Sequence, residues 1–304
     1  MRGQPVGQIT LRDKVKMKCS EAAFQVSFVR SRGPHPIFHR FELRSSERFH
    51  MTTLDTLTQR IAAAEPVQSL CMTDDHWPEL DCAGARFIDC AFERVQFSNA
   101  TLDEAQFSNC RFIACRFSHA ELASARFTDC RFIADGAKGC SFAFSNLQRA
   151  EFSGCDLSQT VFDRTDMFAV ELRDCNLTGA RFATADFSRA LSRKKLETRA
   201  IFQDCKLDVA DFSGAKLPGC SLAGCRLREA DLSSADLTDA DLSGSDLFQV
   251  ILDGARLTGA DLRGAEVSGV NLTRAADFVG VKVSDDQMFR LLEAMGIDVR
   301  VRER

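Results

Sequence analysis

No stretch of this 304-residue chain approaches eighteen consecutive apolar residues, so no segment is expected to cross a membrane as a helix. No secretory signal with a clear hydrophobic core is visible either, and a soluble, cytoplasmic protein without a membrane partner is expected. Histidine is scarce, and His119 alone falls between residues 82 and 280. No C-x-x-C pair occurs, so the cysteines do not read as a zinc site. There is no G-x-S-x-G, no glycine-rich phosphate cradle before a helix, and no Ser/His or Cys/His set. Neither an enzyme nor a cofactor is expected.

What the chain does have is a period of five. From Arg226 to Glu266 it reads RLREA DLSSA DLTDA DLSGS DLFQV ILDGA RLTGA DLRGA E. Stepping back by five from Leu272 passes Val267, Leu262, Leu257 and Leu252, then Leu207, Phe202, Phe187 and Phe182, and finally Phe92 and Phe87. Of 38 such central positions, 35 hold Phe, Leu, Met or Val, the exceptions being Ala137, Ser192 and Glu197. Two residues before each centre sits a small side chain, as at Ala100, Ala105, Cys110 and Cys115. Five matches neither helical spacing nor strand alternation. A short sustained period implies a solenoid whose repeats bury their apolar side only by stacking on one another.

Tandem A(D/N)LXX pentads resemble the pentapeptide-repeat family. The resemblance implies an all-β solenoid, a right-handed quadrilateral β-helix with four pentads per coil and one pentad per face. The centre and the small residue two before it would point inward. Nine to ten coils at about 4.8 Å each would make a rod roughly 45 Å long. Ten cysteines occupy the small inward position and read there as small buried hydrophobes, with Cys90, Cys110 and Cys130 stacked in one column. A cytosolic chain would keep these thiols reduced.

Residues 1–50 lack the pentad phase and carry ten Lys/Arg against four acids. They are expected to be disordered or not part of the native protein, with translation starting at Met51. A basic arm for nucleic acid or targeting is the other reading. Removing this +6 segment from a chain of net charge −4 leaves an acidic body of −10. Residues 51–81 read as an N-terminal cap, where Leu54, Leu57, Ile61 and Ala64 have helical spacing that Pro66 stops. The β-helix is expected over 82–280, with loops at 133–139 and 188–199 where the phase lapses. In residues 281–304, Ser284-Asp285-Asp286-Gln287 has the form of a capping box. Met288, Leu291, Leu292 and Met295 mark one helical face, Gly296 ends the helix, and Ile297, Val299 and Val301 alternate as a short strand. This module would seal the last coil and offer a Met/Leu face for dimerisation.

With twenty residues per coil, Ala137 and Glu197 fall on the same face, so both loops are expected to leave one side of the rod. The same count places Glu151, Glu171, Asp211 and Asp231 on one acidic face. Regular negative charge along a rod resembles a duplex backbone and would attract surfaces built to bind DNA.

From Arg131 onward, the turn before Gly139-Cys140-Ser141-Phe142, the second loop and the ending GVKVSDDQMFRLLEAMGIDV resemble the Qnr fluoroquinolone-resistance branch. That resemblance implies a homodimer that mimics DNA, binds DNA gyrase and topoisomerase IV, and protects them from quinolones. The loop residues Asp135, Lys138, Arg193, Lys194 and Lys195 would contact the enzyme, and no direct nucleic-acid binding is expected. Protection from gyrase toxins belongs to the same expectation. The alternatives are a rigid acidic interaction scaffold for an unrelated partner, and a secreted effector exported through residues 1–50.

Overall fold

The fold was analysed in a computed structural model, which describes residues 54–77, 80–133, 139–192, 195–198 and 200–298. The pentads build a four-sided rod. Each side is a column of short parallel segments, paired in register with the segment twenty residues on. Face 1 contains the strands Val67–Gln68, Arg86–Ile88, Gln106–Ser108, Arg126–Thr128, Glu151–Ser153, Glu171–Arg173 and Ile201–Gln203. Face 2 starts with Cys71–Thr73, Ala91–Glu93, Arg111–Ile113 and Arg131–Ile133. Face 3 runs from His76 through Arg116, Ser141 and Val161 to Ile251, and face 4 from Asp81 through Glu121 and Asp166 to Asp277.

The period follows from what each position does. The central side chains are buried, as are the small residues two before them. In the first coils the centres are aromatic and stack from coil to coil. Phe87, Phe107, Phe127 and Phe152 form near-parallel pairs with centroids 4.9, 4.9 and 4.7 Å apart. Rings on adjoining faces meet edge to face, as Phe92 and Phe97 do at 5.4 Å, an arrangement favoured by the ring quadrupoles. Later coils replace Phe with Leu.

Each corner needs a turn. At Leu237–Ala240 the Leu237 carbonyl accepts from the Ala240 N–H at 3.0 Å, and Asp239 takes φ +56. This is the positive φ that a type II turn demands at its third residue. At Gly139 the constraint is space, since a Cβ there would stand 2.7 Å from the Gln159 carbonyl oxygen.

The first coil begins at Val67, earlier than the expected boundary at Cys82. Val67, Met72, Trp77 and Cys82 are its buried centres, in phase with Phe87. The positions two before them hold Glu65, Leu70, Asp75 and Leu80, so the small-residue half of the pattern is missing. A helix, α1 (Leu54–Ala62), precedes this coil and buries Leu57, with Ile61 packed against the core. The helix thus packs over the first coil.

At the far end, a 3-10 turn at Leu272–Arg274 adds one residue, so Asp261 pairs with Lys282. Gln287 is the seal. Its Oε1 accepts from the Ser284 N–H at 2.6 Å, and its Nε2 donates to the carbonyls of Leu262 (2.6 Å) and Ala265 (2.8 Å). The Ser284 hydroxyl accepts from the Gly264 N–H at 2.7 Å. Helix α2 (Met288–Ala294) follows, and Gly296 closes it with φ +81. Ile297 and Asp298 form no strand, while Val299 and Val301 lie outside the described residues. Among the described residues no helix is long and apolar enough to cross a membrane.

Candidate protein-interaction faces

Register decides where the charged residues lie. Arg131 pairs with Asp156, so the first loop adds five residues at the corner between faces 2 and 3. Glu171 pairs with Ile201, so the second adds ten at the corner between faces 4 and 1. The loops therefore leave from diagonally opposite corners, not from one face. Counting twenty residues per coil straight through the loops treats inserted residues as coil residues, which is why the sequence places both on one side.

The expected acidic face changes for the same reason. Glu151 and Glu171 are neighbours on face 1, but the column continues with Ile201 and Ser221. Asp211 and Asp231 lie on face 3. A ten-residue insertion shifts everything downstream by two faces, that is, to the other side of the rod. The longer acidic column is on face 4, where Asp81, Glu121, Asp166, Asp186, Asp236 and Asp277 are interspersed with Thr101, Asn146, Lys216 and Arg256. Asp103 stands beside it. Burial raises the Asp103 carboxyl above its ordinary value, against the Ala123 N–H that it accepts at 2.7 Å, and Glu121, Glu104 and Asp81 push the same way as burial. Asp186 ends on the low side because Lys216, 2.7 Å away, and Ser188 outweigh its burial.

Many surface aspartates also hold the turns. The carboxylates of Asp211, Asp231, Asp236, Asp241 and Asp246 accept the N–H two residues on at 2.9, 2.8, 3.1, 3.0 and 3.2 Å. This is the local bond by which Asp favours turns. It gives a fold-level reason for an acid before each centre, independent of any partner.

The second loop is a β-hairpin, Ser188–Ser192 paired antiparallel with Lys195–Thr198. Arg189 ties its base to the rod through an ion pair with Asp166 and by lying 5.4 Å from the Phe168 ring. Beside this hairpin runs a groove of about 760 Å3, lined by Arg149, Glu151, Phe168, Glu171, Ile201 and Ser221. Of the expected loop contacts, Lys195 opens the hairpin's second strand, while Asp135, Lys138, Arg193 and Lys194 lie outside the described residues.

The expected C-terminal face divides in two. Leu291 is 5% exposed and belongs to the core, so it seals the rod and is not available to a second protomer. Leu292 and Met295 are half-buried, and Met288 is 46% exposed. Met288 stands with Phe289, Phe278, Val279, Val283 and Ile297 among the exposed apolar residues of this end. The last five lie off the single helical stripe of Met288, Leu291, Leu292 and Met295.

All ten pentad cysteines are buried and free. Seven of them, Cys90, Cys110, Cys130, Cys155, Cys175, Cys205 and Cys225, recur at the same place before face 2 and form one column longer than the expected three. Each donates to a carbonyl of the preceding coil, as Cys110 does to Phe87 at 3.5 Å and Cys225 to Phe202 at 3.4 Å. Burial pushes the Cys225 thiol up to about 12 and that of Cys220 well above its usual value.

Comparison with known proteins places this geometry. A family model described as pentapeptide repeats matches residues 138–173, 205–244 and 240–276, and one described as a pentapeptide repeat region matches 85–152. The pentapeptide repeat protein QnrB4 of Escherichia coli is 33% identical over 76 residues, which cover 25% of this chain and 35% of that protein. The match thus spans about a third of that relative's length. Solved structures of QnrB1, a plasmid-mediated fluoroquinolone resistance protein, superpose more widely. A trypsin-treated variant of QnrB1 gives a TM-score of 0.61 at 26% identity, covering 76% of this chain and 99% of that chain. The full-length form gives 0.58 at 26% identity, covering 75% and 100%. The five-residue period, the four parallel columns and these matches together show that the chain belongs to the pentapeptide-repeat family and resembles its Qnr branch.

Proposed function

We propose that this protein is a homodimeric DNA mimic that binds DNA gyrase, and topoisomerase IV with it, and protects the enzyme from quinolones or gyrase toxins. The observation that carries the reading is the superposition on almost the whole length of QnrB1, a fluoroquinolone resistance protein. The acidic column of face 4 supplies the chemistry, since carboxylates recurring mostly at every second coil, roughly 10 Å apart, attract the basic surfaces that hold DNA. Protection works through binding, with no reaction at the rod itself. The first loop and the hairpin give the rod features that a plain spacer lacks. The exposed apolar end around Met288 and Phe289 joins two protomers.

The test is DNA supercoiling by purified gyrase with ciprofloxacin, with and without the protein. Restored supercoiling at equimolar protein is expected. No protection, together with no inhibition of gyrase at higher protein concentrations, overturns the reading.

A further inference from the structure

Before the last coil, the large apolar side chains left exposed among the described residues of the rod are Ile133, Phe144, Val209 and Ile251. Ile251 lies on face 3. Phe144 and Val209 occupy the two corners that bound that face, and Ile133 is the last described residue before the first loop, at the corner where face 3 begins. Three exposed apolar residues thus collect on one side of the rod, with Ile133 at the adjoining end of a face 2 strand, and among the described residues the remaining sides carry none before the last coil.

Phe144 is the least economical of them. It is 47% exposed and has φ +64, a left-handed conformation that disfavours side chains other than Gly, Asn and Asp. Among the described residues with positive φ, Phe144 and Val209 are the only large apolar ones. The same corner in other coils holds Asn99, His119, Arg164, Thr184, Gly214, Ser234 and Gly254, none of them a large apolar residue. Phe144 therefore accepts backbone strain without the compensation of full burial. Its ring is held in place, stacked on His119 at 5.2 Å and with Arg164 at 5.5 Å from its centroid. A fixed, half-exposed aromatic beside an arginine has the make-up of an interface hot spot.

We propose that face 3 is the side by which the rod meets its protein partner, with Phe144 entering an apolar pocket on a basic surface of that partner. Charge supplies the partner's sign. Residues 51–304 carry a net charge of −10, and on this side Glu121 stands on face 4 and Asp231 on face 3, whereas Asp166, Asp186 and Asp211 are balanced by Arg189, Lys216 and Arg181. Of the cations on this side, Arg164 lies over the ring and Arg181 pairs with Asp163 at 2.7 Å, while Arg116 adds a positive charge on face 3. This inference rests on the reading that the partner is a type II topoisomerase with a basic DNA-binding surface.

Phe144→Gly separates an anchor from a structural ring. Its melting temperature and its binding to purified gyrase are measured beside the native chain, with Phe144→Tyr as the conservative variant. An unchanged or raised melting temperature is expected, with gyrase affinity reduced on the order of tenfold or more. Phe144→Tyr should bind like the native chain. Native-like binding by Phe144→Gly overturns the anchor while leaving the topoisomerase reading intact. A lowered melting temperature in Phe144→Gly also overturns it, because the ring then serves the fold. No gyrase binding by the native chain overturns the reading and the anchor together.

Discussion

Glu171 pairs in parallel register with Ile201, thirty residues on, where an uninterrupted coil would place residue 191 opposite it. The ten additional residues are accommodated outside the coil as the hairpin anchored by Arg189. Deleting Arg189 to Thr198 should therefore leave the stacked coils intact. We expect circular dichroism and cooperative unfolding to remain native-like while gyrase protection is lost. Unfolding of the deleted protein would show that the hairpin is part of the rod's structure.

Gln287 is the polar stopper of the last coil, because its amide donates to the Leu262 and Ala265 carbonyls. Gln287→Ala leaves these acceptors without a partner beneath the cap. A loss of about 1–3 kcal/mol is expected in denaturant unfolding.

Phe112 lies in the aromatic stack between Phe92 and Phe132, at 5.1 and 4.7 Å. Phe112→Ala opens a cavity that the coils above and below cannot close, and should cost about 3–5 kcal/mol. The cost should appear in the same unfolding assay, with the far-ultraviolet spectrum retained.

Asp103 gives a pH test of the acidic side. Burial raises its folded-state pKa, so between the unfolded and folded values the native state holds more protons than the unfolded one. Its contribution to stability is therefore present at low pH and lost as pH rises through the folded value. Asp103→Asn keeps an oxygen for the Ala123 N–H and removes the charge. The variant should melt higher than the native chain at pH 7, and the gap should close below the ordinary carboxylate range.

The buried thiols should be inert while the rod is folded. Every thiol of the column is at most 2% exposed, and burial pushes that of Cys225 to about 12. A thiol reagent at pH 8 should label the column only after denaturant is added. Rapid labelling of the native protein would mean that the coils open readily.

The inward half of this fold was legible because a period of five fixes which residue points into the rod. Leu237, Phe152 and Cys130 are buried where that period puts them. The same period does not say which of the four sides a residue occupies. That depends on counting whole coils, and an insertion of five or ten residues keeps the phase while changing the side. Asp211 and Asp231 were misplaced for this reason, and the face 4 column was missed with them. The first coil escaped notice because Leu70 and Leu80 fill slots that elsewhere hold Ala or Cys. Leu291 differs again. Its helical spacing matches that of Met288, and only the packing of α2 on the last coil shows that it is already spoken for.

The turn-holding aspartates make shape and charge separable in this molecule. Asp211, Asp231, Asp236, Asp241 and Asp246 each commit one oxygen to a backbone N–H two residues away. An asparagine offers the same acceptor on a side chain of the same size, so the five can be exchanged together with the corners kept. The result would be an electrically quieter rod with the original contour, against which each contribution of negative charge to partner choice can be measured one face at a time.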